Sequence, residues 1–156
     1  MGRYLSIFLI SMVPLLELRG AIPIATGMDL PYVPSLIICV IGNMVPVPLV
    51  YFFARKILIW GSRQRHIGHA CNYFLVKGEK AGQKLTAKTG RCGLFMALLL
   101  FVGIPLPGTG AWTGTLAASF LDMGFKSTVA AVCLGVILAG LIMGLASAGV
   151  FHIIGL

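Results

Sequence analysis

Acidic residues are almost missing from this chain. Among 156 residues there are only Glu17, Asp29, Glu79 and Asp122, and charged residues of both signs amount to 10%. A water-soluble domain carries about 25%, so the chain cannot cover its own surface with charge, and a soluble globule is excluded. Hydrolytic triads, HExxH, phosphate-binding glycine loops and nucleic-acid modules are missing too. Cys39, Cys71, Cys92 and Cys133 lie far apart, without CxxC or Cys/His spacing, and His66 and His69 lack a third ligand. Nothing recommends an enzyme, so no catalytic residue is named, and no metal, cofactor or nucleic-acid partner is expected.

What is present is apolar length. Hydrophobic residues make up 58% and the mean hydropathy is +0.99, which points to an all-α integral membrane protein of one domain, residues 1–156. A spanning helix needs roughly 20 apolar residues to cover a hydrocarbon core of about 30 Å. Residues 33 to 54 and 128 to 154 qualify. Two further apolar regions are interrupted, one around Pro14, Gly20 and Pro23, the other around Pro105, Pro107, Gly108 and Gly110. Each is expected to be a re-entrant hairpin of two half-helices. Irregular backbone at membrane depth is tolerated only where protein buries it or water reaches it. The alternative is a pair of kinked full spans, giving four crossings.

The two halves share one grammar. Residues 1–54 run short helix, Pro14, polar break, Gly20-Ala21, short helix, Asp29, full span. Residues 92–156 repeat it with Pro105, Gly110-Ala111 and Asp122. One hairpin and one crossing per half would make the repeats inverted, as in many secondary transporters. The connector, residues 55–91, holds nine of the twelve Lys and Arg and only Glu79 against them. The positive-inside rule places it in the cytoplasm, giving a multi-pass protein of the inner (plasma) membrane with both termini outside. Lys77, Lys80, Lys84 and Lys88 would form one basic stripe on a helix facing anionic lipid headgroups.

Glu17 and Arg19 carry the sharpest functional signal, because a charge at membrane depth costs several kcal/mol unless paired or hydrated. Two residues apart, they do not stack along an ideal helix, but in an open break they could meet. Either Glu17 is a proton or cation site with Arg19 as partner or anion clamp, or the two are a self-neutralising pair that fixes the hairpin. In the second break Thr109 and Thr113 supply hydroxyls and Trp112 a stacking surface, while a glycine-rich packing turn is the plainer reading. Asn43, near Pro46 and Pro48, either satisfies the broken backbone or faces the site. Asp29 and Asp122 are expected to cap the helices that follow them. Gly140-x-x-x-Gly144 reads as close helix packing, within or between subunits.

ELRGAIP (17–23), GNMVPVP (42–48) and PLPGTGAWTG (105–114), in this order, resemble the small multidrug export protein family, a distant relative of the DedA membrane proteins. The resemblance implies export, and through the DedA proteins either proton-dependent transport or flipping of lipid carriers such as undecaprenyl phosphate. The acid and base of the family's first motif fall on Glu17 and Arg19. DedA proteins carry further acids and arginines in their second half, whereas PLPGTG carries none. The expectation is therefore a proton-coupled secondary transporter of small molecules. A lipid-phosphate flippase and a non-transporting scaffold or assembly factor are the alternatives. Two crossings shield little at the midplane, so a homodimer in contact with membrane lipid is expected.

Overall fold

The computed structural model describes residues 2–14, 16–62, 68–106 and 108–154. Among them all regular structure is helical: α1 Gly2–Met12, α2 Glu17–Gly27, α3 Tyr32–Met44, α4 Pro46–Ser62, α5 Gly68–Gly103, α6 Ala111–Phe120 and α7 Phe125–Ile154. Pro107 and His66 lie outside the described residues.

Two stretches are long and apolar enough to cross a membrane, Tyr32–Ala54 and Phe125–Ser147, with hydropathies of 2.2 and 2.6. The first bends at Val45, where α3 gives way to α4, because Pro46 and Pro48 have no N–H to give the carbonyls one turn back. α5 is two helices joined at Gly90, whose left-handed φ of 71° suits a residue without a Cβ. Lys77, Lys80, Lys84 and Lys88 are exposed before that bend, and an apolar arm, Gly90–Gly103, follows it. α1 and α2 have 11 residues each and α6 has 10. Such helices reach about 15 to 16 Å, half of a hydrocarbon core.

The short arms pack on the spans through a core of Ile7, Leu18, Ile22, Cys39, Val102, Ala118, Val132 and Val136. The same contacts occur twice. A methyl at Gly42 would come within 2.8 Å of the Phe8 carbonyl and also meet Ser11; one at Gly135 would come within 2.8 Å of the Leu99 carbonyl and also meet Val102. Ser35 and Thr128 both return their hydroxyls to the carbonyl four residues back, at 2.8 and 3.2 Å. α2 and α6 end alike: Asp29 and Asp122 take left-handed φ values of 56° and 55°, and the next amides, Leu30 and Met123, bond back to Ala25 and Ala118 at 3.1 and 3.0 Å. That is the Schellman way of closing a helix.

Four expectations need correction. Gly20 and Pro23 do not lie in a break: both are inside α2, which begins at Glu17. Pro23 only deprives the Arg19 carbonyl of its helical partner, a loss one proline can impose without ending a helix. Glu17 and Arg19 thus open a helix rather than sit on open backbone. The helical start also shifts the pairing of the halves: one constant interval relates Glu17 to Gly110, Arg19 to Trp112, Asp29 to Asp122, Ser35 to Thr128 and Gly42 to Gly135. Gly20-Ala21 is therefore not the partner of Gly110-Ala111. Asp29 does not cap α3, whose N-cap is Pro31 with no side-chain bond; it terminates α2 instead.

The Gly140-x-x-x-Gly144 stripe packs within the chain. Gly140 lies against Leu36 and Leu18, Gly144 against the Tyr32 ring, and the Tyr32 hydroxyl donates to the Gly140 carbonyl at 2.9 Å.

Candidate functional site

The two breaks meet, and each supplies what the other's helix ends lack. A helix leaves its first amides and last carbonyls unpaired, and these ends carry partial charges that attract an anion at the start and a cation at the finish.

α5 ends at Gly103. Pro105 has no amide to offer, and the Leu106 amide bonds to Ile104 at 2.8 Å rather than to Val102, its helical target. Arg19 fills the gap from the other break. Its Nη2 donates to the carbonyls of Val102 (3.0 Å) and Ile104 (3.1 Å) and to the Thr109 hydroxyl oxygen (2.9 Å), and its Nη1 donates to the Leu106 carbonyl. Thr109 turns its own hydroxyl to the Ile104 carbonyl at 2.9 Å. One guanidinium thus sets the shape of the whole turn, which a point-charge ammonium could not do.

α6 begins at Ala111 with the complementary deficit. The Glu17 carboxylate accepts from the Ala111 amide at 3.2 Å on one oxygen and from the Trp112 amide at 3.2 Å on the other. Its approach depends on Gly110, because a Cβ there would overlap the carboxylate. Bonds to a charged group are worth about 1.5 to 3 kcal/mol each. Glu17 itself has a left-handed φ of 48°, a strained conformation for a residue with a Cβ.

Among the described residues no ion pair joins Glu17 to Arg19; their bonds all run to the second break. The acid caps the start of α6 and the base caps the end of α5. This explains why PLPGTG needs no charge of its own.

The exchange is reciprocal. At the end of α1, the Leu16 amide bonds to Val13 at 3.2 Å rather than to its helical target, the Met12 carbonyl. The indole Nε1 of Trp112 donates to it at 3.2 Å. Arg19 and Trp112, related by the constant interval, therefore do the same work in opposite directions. α2 needs no acid, since the Glu17 and Gly20 amides bond locally to Val13 (2.9 Å) and Leu16 (2.8 Å). No buried side-chain nitrogen or oxygen among the described residues is left without a partner, as a low-dielectric setting demands.

Asn43 is 2% exposed. With its amide turned to match its neighbours, it donates to the Ser11 carbonyl and accepts from the Leu18 amide at 3.3 Å. Of the two roles open to it, the geometry gives the first: it pins α3 to both sides of the first break.

A cleft of about 320 Å³ opens between the breaks, lined by Pro14, Leu16, Glu17, Arg19, Gly20, Pro105, Leu106, Gly108, Thr109, Thr113 and Met143. The structure thus brings Glu17, Arg19, Thr109 and Thr113 together and leaves Asn43 and Trp112 behind them as supports. Thr113 is loosely tied, with its hydroxyl 3.4 Å from the Gly110 carbonyl. Met143 was not legible as a lining residue, since it is one apolar position among many on α7. The roles of Met12, Val102 and Ile104 rest on backbone carbonyls and leave no sequence signature.

No curated protein and no solved structure matches the chain. A family model does match, over residues 17–142, from the capping acid into the second half of α7. Its span takes in the second break, the first membrane-length helix and most of the second, so the chain is a membrane protein and belongs to the family described as "Putative small multi-drug export protein".

Proposed function

We propose that the chain is a secondary exporter of small molecules driven by protons, with Glu17 as the coupling group. One observation carries this reading. The Glu17 carboxylate holds the start of α6 through two amides and also lines the cleft between the breaks, where it is the only acid among the described residues. Protonation removes the negative charge that the helix end attracts and turns one accepting oxygen into a donor. The cap then loosens, α6 can shift against α2, and a substrate in the cleft meets a different surface. Thr109, Thr113 and Met143 offer that substrate two hydroxyls and a soft apolar wall.

The same reading gives the architecture. The recurring contacts and the constant interval support two inverted repeats, each a re-entrant hairpin followed by a crossing helix, with both tips near the midplane. The basic residues 55–91 then face the cytoplasm of an inner-membrane protein. Only 39% and 33% of the two spans are buried within the chain, which supports a second copy completing the shield around the cleft.

A lipid-phosphate flippase has less support. It needs a cation free to meet a phosphate, and the only one among the described residues lining the cleft, Arg19, is committed to four oxygens of the second break. An assembly factor would not need an acid open to a cleft.

Purified protein in liposomes with an acidic interior tests this. Wild type should accumulate a cationic dye, and Glu17→Gln should not while folding normally. If neither protons nor dyes move above empty vesicles, the transport reading fails. Movement of a polyprenyl phosphate alone would replace it with the flippase.

A further inference from the structure

α7 and the bent first span do not close on one another along their whole length. Below the kink at Val45 a cavity of about 570 Å³ opens, with Met44 and Pro48 on one wall and Lys126, Val129, Ala130 and Cys133 on the other. This volume lies within the roughly 300 to 1,000 Å³ of ligand sites. Met44 and Pro48, which line it, stand on either side of the bend at Val45.

Lys126, Val129, Ala130 and Cys133 follow one another at helical spacing and share a face of α7. From Lys126 to Cys133 the groove runs about 10 Å, some two-thirds of the depth of one leaflet, if the whole hydrocarbon core is about 30 Å. Its walls are apolar except at the mouth. There Lys126 stands in the first turn of α7, exposed, and no hydrogen bond or ion pair from the described residues reaches its ammonium. Among the described residues no acid lines the groove. An apolar trough of leaflet depth with one cation at its rim matches the charge and shape of one kind of molecule.

We propose that this groove is a binding site for a single anionic phospholipid, with the phosphodiester on Lys126 and an acyl chain along Val129 and Ala130 towards Met44 and Cys133. A zwitterionic lipid brings its own ammonium close to Lys126 and fits less well, so the site discriminates by headgroup. The site is separate from the cleft at the breaks and does not depend on the transport reading.

Cys133, half-buried at the deep end, reports occupancy. With Cys39, Cys71 and Cys92 replaced, Cys133 is labelled by a membrane-permeant maleimide in nanodiscs of phosphatidylcholine, alone or mixed equally with phosphatidylglycerol of the same chains. Phosphatidylglycerol should slow labelling, by roughly tenfold where the lipid stands at ten times its Kd, and Lys126→Gln should abolish the difference. Equal rates in the two lipids would reduce the groove to ordinary bilayer contact and overturn the proposal. Protection that survives Lys126→Gln would overturn it as well.

Discussion

The Glu17 carboxylate occupies the space in which a side chain at Gly110 would begin. Gly110→Ala therefore evicts the cap of α6 and leaves a buried charge without its amides, at a cost of about 2 kcal/mol or more. Gly108→Ala is the control. Its added methyl meets nothing within 4 Å, so only the left-handed φ of 86° penalises it, by roughly 1 kcal/mol. Thermal unfolding in detergent should rank Gly110→Ala as clearly the worse, and equal losses would remove the cap from the account.

Arg19→Lys keeps the charge and loses the fork. A lysine ammonium cannot reach three carbonyls and the Thr109 hydroxyl at once, so at least one carbonyl is left unpaired, costing about 1 to 3 kcal/mol. The expected outcome is a destabilised protein whose second break becomes accessible to protease. A Lys variant as stable as wild type would mean that charge alone matters at this position.

Trp112→Phe removes the indole donor to the Met12 carbonyl and keeps an aromatic ring. A loss of about 1 kcal/mol follows from one missing hydrogen bond; on the proposal that Glu17 couples transport to protons, transport is preserved because Glu17 is untouched. Abolished transport in a folded Trp112→Phe protein would place the indole in the transport step rather than behind it.

Gly144→Ala pushes a methyl into the Tyr32 ring, and Tyr32→Phe leaves the Gly140 carbonyl without its 2.9 Å partner. Both variants should unfold at lower temperature while chemical crosslinking finds the oligomeric state unchanged. A change of oligomer without loss of stability would return this stripe to an interface between copies.

The two spans and the interruptions at Pro14 and Pro105 were legible in the sequence, because length and a proline in an apolar run are physical statements in themselves. The direction in which Glu17 and Arg19 act was not legible. The sequence left open whether the two charges serve a transported ion or neutralise each other, whereas the orphaned ends of α5 and α6 are what their side chains bind. Which helix ends are orphaned depends on backbone bonds such as Leu106 to Ile104, and no residue type encodes those. The interval linking Arg19 to Trp112 escaped notice for a related reason. A guanidinium and an indole look unlike, but both are donors on a long arm. Pro23 misled in the opposite sense, since one missing amide early in α2 is tolerated where a pair at Pro46 and Pro48 bends a span.

The exchange of caps also bears on ancestry. Suppose the chain arose by fusing two copies of one hairpin-and-helix unit. Two first halves would set a pair of Glu17 carboxylates face to face, and two second halves would leave both α6-type ends bare. An acid on one side and a glycine on the other resolves both conflicts at once. On that supposition neither half could return to pairing with its own kind, and the joined chain would be the smallest heritable unit of the site.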